Sequence, residues 1–131
     1  MKTEKKILIV DDESDVLESL SSVLGSKGYH VLTAGDGEAA LELVRSNDPD
    51  LIILDIMMPK INGIDVLHQI RHEARYGRWR PVIIFTGRGD FDDVSKGYKE
   101  EADYYIVKPA PLKKVVEGVE IMLSLAPLRK K

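Results

Sequence analysis

The sequence predicts an α/β fold: a doubly wound, five-stranded parallel sheet with helices on both faces. Three observations carry that prediction. First, three short runs are continuously apolar and rich in β-branched residues: Ile7-Leu8-Ile9-Val10, Leu51-Ile52-Ile53-Leu54 and Val82-Ile83-Ile84-Phe85. Unbroken runs of that length suit strands buried on both faces. Second, helical periodicity fills the intervals between them. Third, strand and helix alternate at a spacing that implies right-handed crossovers onto a parallel sheet.

The elements follow in order. Residues 7–10 lead into a helix in which Val16, Leu17, Leu20, Val23 and Leu24 share one face, with Gly25 and Gly28 as stop signals. A weaker strand is expected over 29–34. A second helix carries Ala40, Leu43 and Val44 between Asp36-Gly37 and Asn47-Asp48-Pro49. After the strand at 51–54, Ile64, Leu67, Ile70 and Ala74 mark a third helix. After the strand at 82–85, residues 91–101 are expected to form a fourth helix, although its apolar positions are sparse and Gly97 weakens it. A fifth strand is expected over 104–107. Pro111 then opens a fifth helix, where proline is tolerated, with Val115, Val116, Val119, Met122 and Leu123 inward.

Composition bounds the function. A chain of 131 residues fits one domain, here 1–131, with a core of about 5–125 and a frayed basic tail at 126–131. Lys and Arg number 19 and Asp and Glu 22, a net charge of −3, so direct nucleic-acid contact is not expected. There is no cysteine, which excludes disulfides, thiolate nucleophiles and Cys-ligated zinc or iron–sulfur sites. No apolar run approaches membrane-spanning length and no signal peptide is evident, so a cytoplasmic protein without membrane contact is expected. The chain ends soon after the fifth helix, which leaves open a stand-alone domain or a piece of a longer protein.

In an open α/β sheet, ligands bind outside the carboxyl ends of the strands. Asp11 and Asp12 follow the first strand, Asp55 the third, Thr86 the fourth and Lys108 the fifth. Any one of the acids could simply cap a helix or sit in a solvated turn. Together, three carboxylates, a hydroxyl and an ammonium converge on one edge. Clustered carboxylates repel and call for a cation, and an all-oxygen donor set suits Mg²⁺. Metal, lysine and hydroxyl together make a receptor for a phosphoryl group, with a carboxylate as its attachment point.

On these residues the sequence resembles the receiver domain of two-component response regulators. The matching segments are 7–13 (Ile-Leu-Ile-Val-Asp-Asp-Glu), 54–59 (Leu-Asp-Ile-Met-Met-Pro), Asn62-Gly63, Pro81-Val82-Ile83, Thr86-Gly87 and 102–109, which ends in Lys108-Pro109. The resemblance covers essentially the whole chain. It implies a flavodoxin-like sheet of strand order 2-1-3-4-5. It also implies that Asp55 accepts a phosphoryl group from the phosphohistidine of a sensor histidine kinase or histidine phosphotransfer protein. Asp11, Asp12, Asp55 and the backbone carbonyl of Met57 would hold Mg²⁺, and Lys108 and Thr86 would bind phosphoryl oxygens. Tyr105 would be the aromatic switch that turns inward when Thr86 moves. The Lys108–Pro109 peptide would be cis. The fourth helix, fifth strand and fifth helix would form the readout face for an output partner the sequence does not name, with phosphorylation-dependent homodimerisation through that face. Such a domain is not an enzyme in the usual sense; it catalyses only its own phosphorylation and dephosphorylation.

Several residues depart from the family pattern or invite other readings. Thr86 is followed by Gly87-Arg88-Gly89-Asp90 where relatives often have Thr-Ala, and two glycines loosen that loop. Lys108-Pro109 is followed by Ala110 where most relatives carry Phe. A Mg²⁺-dependent phosphatase with aspartyl-phosphate chemistry would usually carry a second Asp two residues after the nucleophile, but Met57 stands there. A degenerate receiver would lack one of the acids, Thr86 or Lys108, and all are present. His68 and His72 lie four apart on a predicted helix, yet with no third ligand evident a solvated or kinase-facing surface is the preferred reading. Arg71, Arg75, Arg78 and Arg80 around Trp79 are read as a solvated loop with one anchoring aromatic.

Overall fold

The computed structural model describes residues 4–56, 58, 61–87 and 101–126. Five strands form one sheet: β1 (Lys6–Val10), β2 (His30–Ala34), β3 (Leu51–Leu54), β4 (Val82–Gly87) and β5 (Tyr104–Lys108). Every pair is parallel, as the alternation predicts, and their order is β2-β1-β3-β4-β5, the flavodoxin-like arrangement the resemblance implies. The helices are α1 (Ser14–Ser26), α2 (Gly37–Asn47), α3 (Gly63–His72) and a C-terminal helix, α4 (Leu112–Leu125).

Each apolar run serves two cores because successive side chains of a strand point to opposite faces. Leu8, Val10, Ile52, Leu54 and Ile84 pack with Ala40, Leu41 and Val44 of α2 and Ile64, Leu67 and Ile70 of α3. Ile7, Ile9, Leu51, Ile53, Ile83 and Phe85 pack on the other face with Leu20 and Leu24 of α1 and Val115, Val116 and Val119 of the C-terminal helix. Each such side chain contributes roughly 1.5–3 kcal/mol when fully buried, so the sheet is rigid where its edge carries the site.

The helix ends follow the predicted signals with some shifts. The Asp36 side chain accepts from the Ala39 N–H at 2.9 Å and starts α2; Asn62 accepts from the Asp65 N–H at 3.0 Å and starts α3. Gly25 lies inside α1 and does not stop it; Gly28, at φ +98°, is the glycine whose backbone turns the chain toward β2. In α2, Leu41 is buried and Leu43 only partly so. Ala74 is not on the buried face of α3. The helix ends at His72, and Ala74 is exposed in a short 3-10 turn that buries Tyr76 instead. The expected fourth helix (91–101), the Arg88-Gly89-Asp90 tripeptide and the end of the basic tail lie outside the described residues, apart from Glu101, which is in a turn.

The arginine-rich segment is solvated only in part: Arg75 and Arg78 are exposed, but Arg71 and Arg80 are not. Arg80 is fully buried. Its guanidinium donates to the Pro49 carbonyl at 2.7 Å, the Tyr76 carbonyl at 3.1 Å and Asp48 Oδ1 at 2.6 Å. Burial pulls its pKa below the ordinary arginine value, an effect the Asp48 contact only partly offsets. Arg71 donates to the carbonyls of Glu101 and Arg80 and to Asp103 Oδ2, at 2.6–2.8 Å. These arginines tie the α2–β3, α3–β4 and pre-β5 connections together at the N-terminal edge of the sheet.

Candidate phosphoacceptor site

The carboxyl ends of β1, β3, β4 and β5 bring five of the sequence-predicted side chains together. Asp11 follows β1, and its backbone N–H donates to the Ala34 carbonyl at 3.1 Å. Asp55 follows β3, and its N–H donates to the Val10 carbonyl at 2.9 Å. Sheet-type hydrogen bonds therefore run past the strand ends and fix both acids. Thr86 and Lys108 lie within β4 and β5, not after them, because those strands run further than the apolar runs that announce them.

Asp11, Asp55 and Thr86 are buried; Asp12 is exposed. The Thr86 hydroxyl donates to Asp55 Oδ1 at 2.8 Å. Lys108 Nζ donates to Asp11 Oδ2 at 2.8 Å and to Glu13 Oε1 at 3.2 Å, and stands 3.5 Å from Asp55 Oδ2. Burial pulls the Lys108 pKa down, but the hydrogen bond to Asp11 and the charges of Asp55 and Asp11 outweigh it, so the net shift is upward. Lys108 is thus a fixed cation beside Asp55. Its Lys108–Pro109 peptide is cis, as the resemblance implies.

One carboxylate oxygen from each of Asp11, Asp12 and Asp55 lies within 4.8 Å of the others. Three carboxylates against one ammonium leave an excess of two negative charges, and every donor is oxygen. That set fits a hard divalent ion. Met57, whose carbonyl is expected to contribute, lies outside the described residues.

Gly63 backs this site. Its N–H donates to the Ile56 carbonyl at 2.6 Å. A Cβ at position 63 would stand 2.6 Å from Ile56 Cα and run into the Asp55 carbonyl oxygen, both backbone atoms that cannot swing away. Gly63→Ala is therefore expected to cost about 2 kcal/mol as overpacking. Urea denaturation would show the lowered midpoint; an unchanged midpoint would mean the loop yields freely.

Tyr105, the second residue of β5, is partly buried against the α2–α3 face of the sheet. Burial, with the nearby charges of Asp103 and Glu101, pushes its phenol up to about 12. In the unfolded chain the phenol titrates near 10. Between those pH values the unfolded state loses its proton first, so stability falls as pH rises through that window. In a tyrosinate absorbance titration, the component lost in Tyr105→Phe is expected to titrate near 12; a component near 10 would contradict the burial.

Comparison with known proteins gives the family. A family model described as the response regulator receiver domain matches residues 7–120. The chain belongs to that family. It is 41% identical over 123 residues to the probable transcriptional regulator ycf27 of Guillardia theta, covering 94% of this chain and 47% of that protein. It is 39% identical over 119 residues to the DNA-binding response regulator MtrA of Mycobacterium tuberculosis (strain ATCC 25618 / H37Rv), covering 91% and 50%. The chain thus spans about half the length of the curated relatives it matches. Among solved structures, the response regulator TrrA of Thermotoga maritima, in complex with Mg²⁺ and BeF, superposes with a TM-score of 0.78 at 36% identity, covering 90% of this chain and 98% of that one.

Receiver domains are signalling modules that work with sensor kinases and output domains, and the family uses Mg²⁺. Among the described residues, no helix is long and apolar enough to cross a membrane. Sequence reasoning missed two things at this edge. Glu13 joins the Lys108 contacts, and the Asp11 side chain orders the turn by accepting from the Glu13 N–H at 3.0 Å. The Asp-Asp-Glu run was the available signal for both.

Proposed function

We propose that this domain is a phosphoacceptor switch in which Asp55 takes a phosphoryl group from the phosphohistidine of a sensor histidine kinase or a histidine phosphotransfer protein. The observation that carries this reading is the buried Asp55 carboxylate, with the Thr86 hydroxyl on one oxygen and Lys108 beside the other. The Asp55 carboxylate attacks phosphorus, an O–P bond forms, the P–N bond breaks and the imidazole leaves. Thr86 and Lys108 then donate to phosphoryl oxygens in place of the carboxylate. Fixed donors aimed where negative charge gathers are what phosphoryl transfer asks of a protein. Asp11, Asp12 and Asp55, with the Met57 carbonyl, would hold Mg²⁺, which when bound supplies neutralisation of the incoming phosphoryl charge.

Activation is an ordering event: Thr86 moves to the phosphoryl group and Tyr105, on the same pair of strands, turns inward. The readout face comprises the segment before β5, β5 and the C-terminal helix, and phosphorylation-dependent pairing of two copies through it is part of the proposal. A cytoplasmic location follows from the partner. The domain itself makes no direct contact with nucleic acid or membrane, and its only chemistry is on its own Asp55.

Fluorine NMR with beryllofluoride, a phosphoryl mimic, tests the acceptor pocket. Bound-fluoride resonances are expected in the wild type with Mg²⁺, and their loss on omission of Mg²⁺ or in Asp12→Asn. Absence of bound fluoride under conditions that saturate a control receiver would overturn the reading.

A further inference from the structure

At the N-terminal edge of the sheet, away from Asp55, three potential metal ligands meet. His68 and His72 lie one turn apart on α3, so they share a face. Their ring centroids are 4.3 Å apart. The fold brings Glu101, from the turn before β5, onto the same spot. Glu101 Oε2 is 2.9 Å from His72 Nε2, and Oε1 is 3.7 Å from His68 Nδ1. One ligand atom from each residue lies within 4.8 Å of the other two. Glu101 Oε1 is buried and has no hydrogen-bond partner among the described residues, which leaves a carboxylate oxygen without its usual compensation.

We propose that His68, His72 and Glu101 form a second metal site, for a divalent transition-metal ion of the Zn²⁺ type. Two imidazoles and a carboxylate leave a fourth tetrahedral position for water. Tetrahedral bonds of about 2.0–2.2 Å hold ligand atoms roughly 3.3–3.6 Å apart, so the 2.9 Å His72–Glu101 pair would open slightly and the 3.7 Å His68–Glu101 pair would close slightly. Both imidazoles are more than half exposed and can rotate inward, while Glu101, one-quarter exposed, is the fixed anchor. Imidazole nitrogen separates this site from the all-oxygen acidic pocket, since Mg²⁺ favours oxygen ligands. A bound ion would cross-link α3 to the entry of β5, next to the Arg71–Asp103 ion pair. The proposal is independent of the phosphoacceptor reading.

The test is calorimetric titration of the tag-free chain with Zn²⁺ in a non-chelating buffer, with excess Mg²⁺ to fill the acidic pocket. One equivalent is expected to bind. Glu101→Gln and the double variant His68→Ala/His72→Ala are each expected to weaken binding about tenfold or more, the scale seen when a metal ligand loses even its supporting hydrogen bond. The chain has three histidines. In imidazole NMR spectra His68 and His72 should shift with Zn²⁺ and His30 should not. No uptake in excess Mg²⁺, undiminished uptake in both variants, or a shift confined to His30 would each overturn the site and leave His72–Glu101 as an ion pair only.

Discussion

Asp55→Asn is expected to abolish phosphoryl uptake while leaving the fold intact. The amide is nearly isosteric with the carboxylate and can still accept from the Thr86 hydroxyl, which stands 2.8 Å from Oδ1. Lys108 keeps its 2.8 Å contact with Asp11. The substitution removes one of three clustered negative charges, so thermal stability should hold or rise. An amide is no nucleophile toward phosphorus. The rate of incorporation from acetyl phosphate with Mg²⁺ should therefore fall by more than about a thousandfold, as when an enzyme loses its nucleophile. Uptake at the wild-type rate would place the acceptor elsewhere, with Asp11 or Asp12 the nearest candidates.

Arg80→Ala should be the most destabilising single change among the described charged residues. The guanidinium is fully buried and hydrogen-bonds two backbone carbonyls and Asp48. Truncation leaves those carbonyls without their donor and opens a cavity between α2, the 3-10 turn and β4. Leaving two buried carbonyls without a donor and opening a cavity costs about 3 kcal/mol or more, here roughly 10 °C in melting temperature for a domain of this size. Asp48 retains Arg78 at 3.1 Å, so its own charge stays compensated. Arg80→Met should lose less because it refills the volume. A loss under 1 kcal/mol for Arg80→Ala, measured by denaturant titration, would show that the network is not needed for stability.

The sheet was legible because its signals are local. Ile7–Val10, Leu51–Leu54 and Val82–Phe85 are apolar throughout, and that pattern survives only between two helical layers. The site was legible because strand ends follow from the strands: once those runs and the strand at 104–107 are placed in a parallel sheet, Asp11, Asp55, Thr86 and Lys108 must share an edge. The misread features depend on residues far apart in sequence. Arg80 and Arg71 look solvated beside Arg75 and Arg78, and only the fold puts Asp48, Pro49 and Tyr76 around one guanidinium and Asp103 against the other. The same holds for Glu101, 29 residues from His72, which no spacing rule connects to α3. Ala74 matched the helical period, but the chain leaves the helix at Glu73, so periodicity continued past the element that produced it.

The central claim is that Asp55 accepts the phosphoryl group in a Mg²⁺-dependent site, and intact-mass analysis followed by peptide mapping tests it most directly. Incubation with acetyl phosphate and Mg²⁺ should add a single phosphoryl group, and omission of Mg²⁺ should prevent it. Trypsin cuts after Arg45 and Lys60 would leave Asp55 in a peptide separate from that of Asp11 and Asp12. Fragmentation should place the group on Asp55. A phosphoryl group on the other peptide, Mg²⁺-independent addition, or no addition where a control receiver is modified would contradict the account.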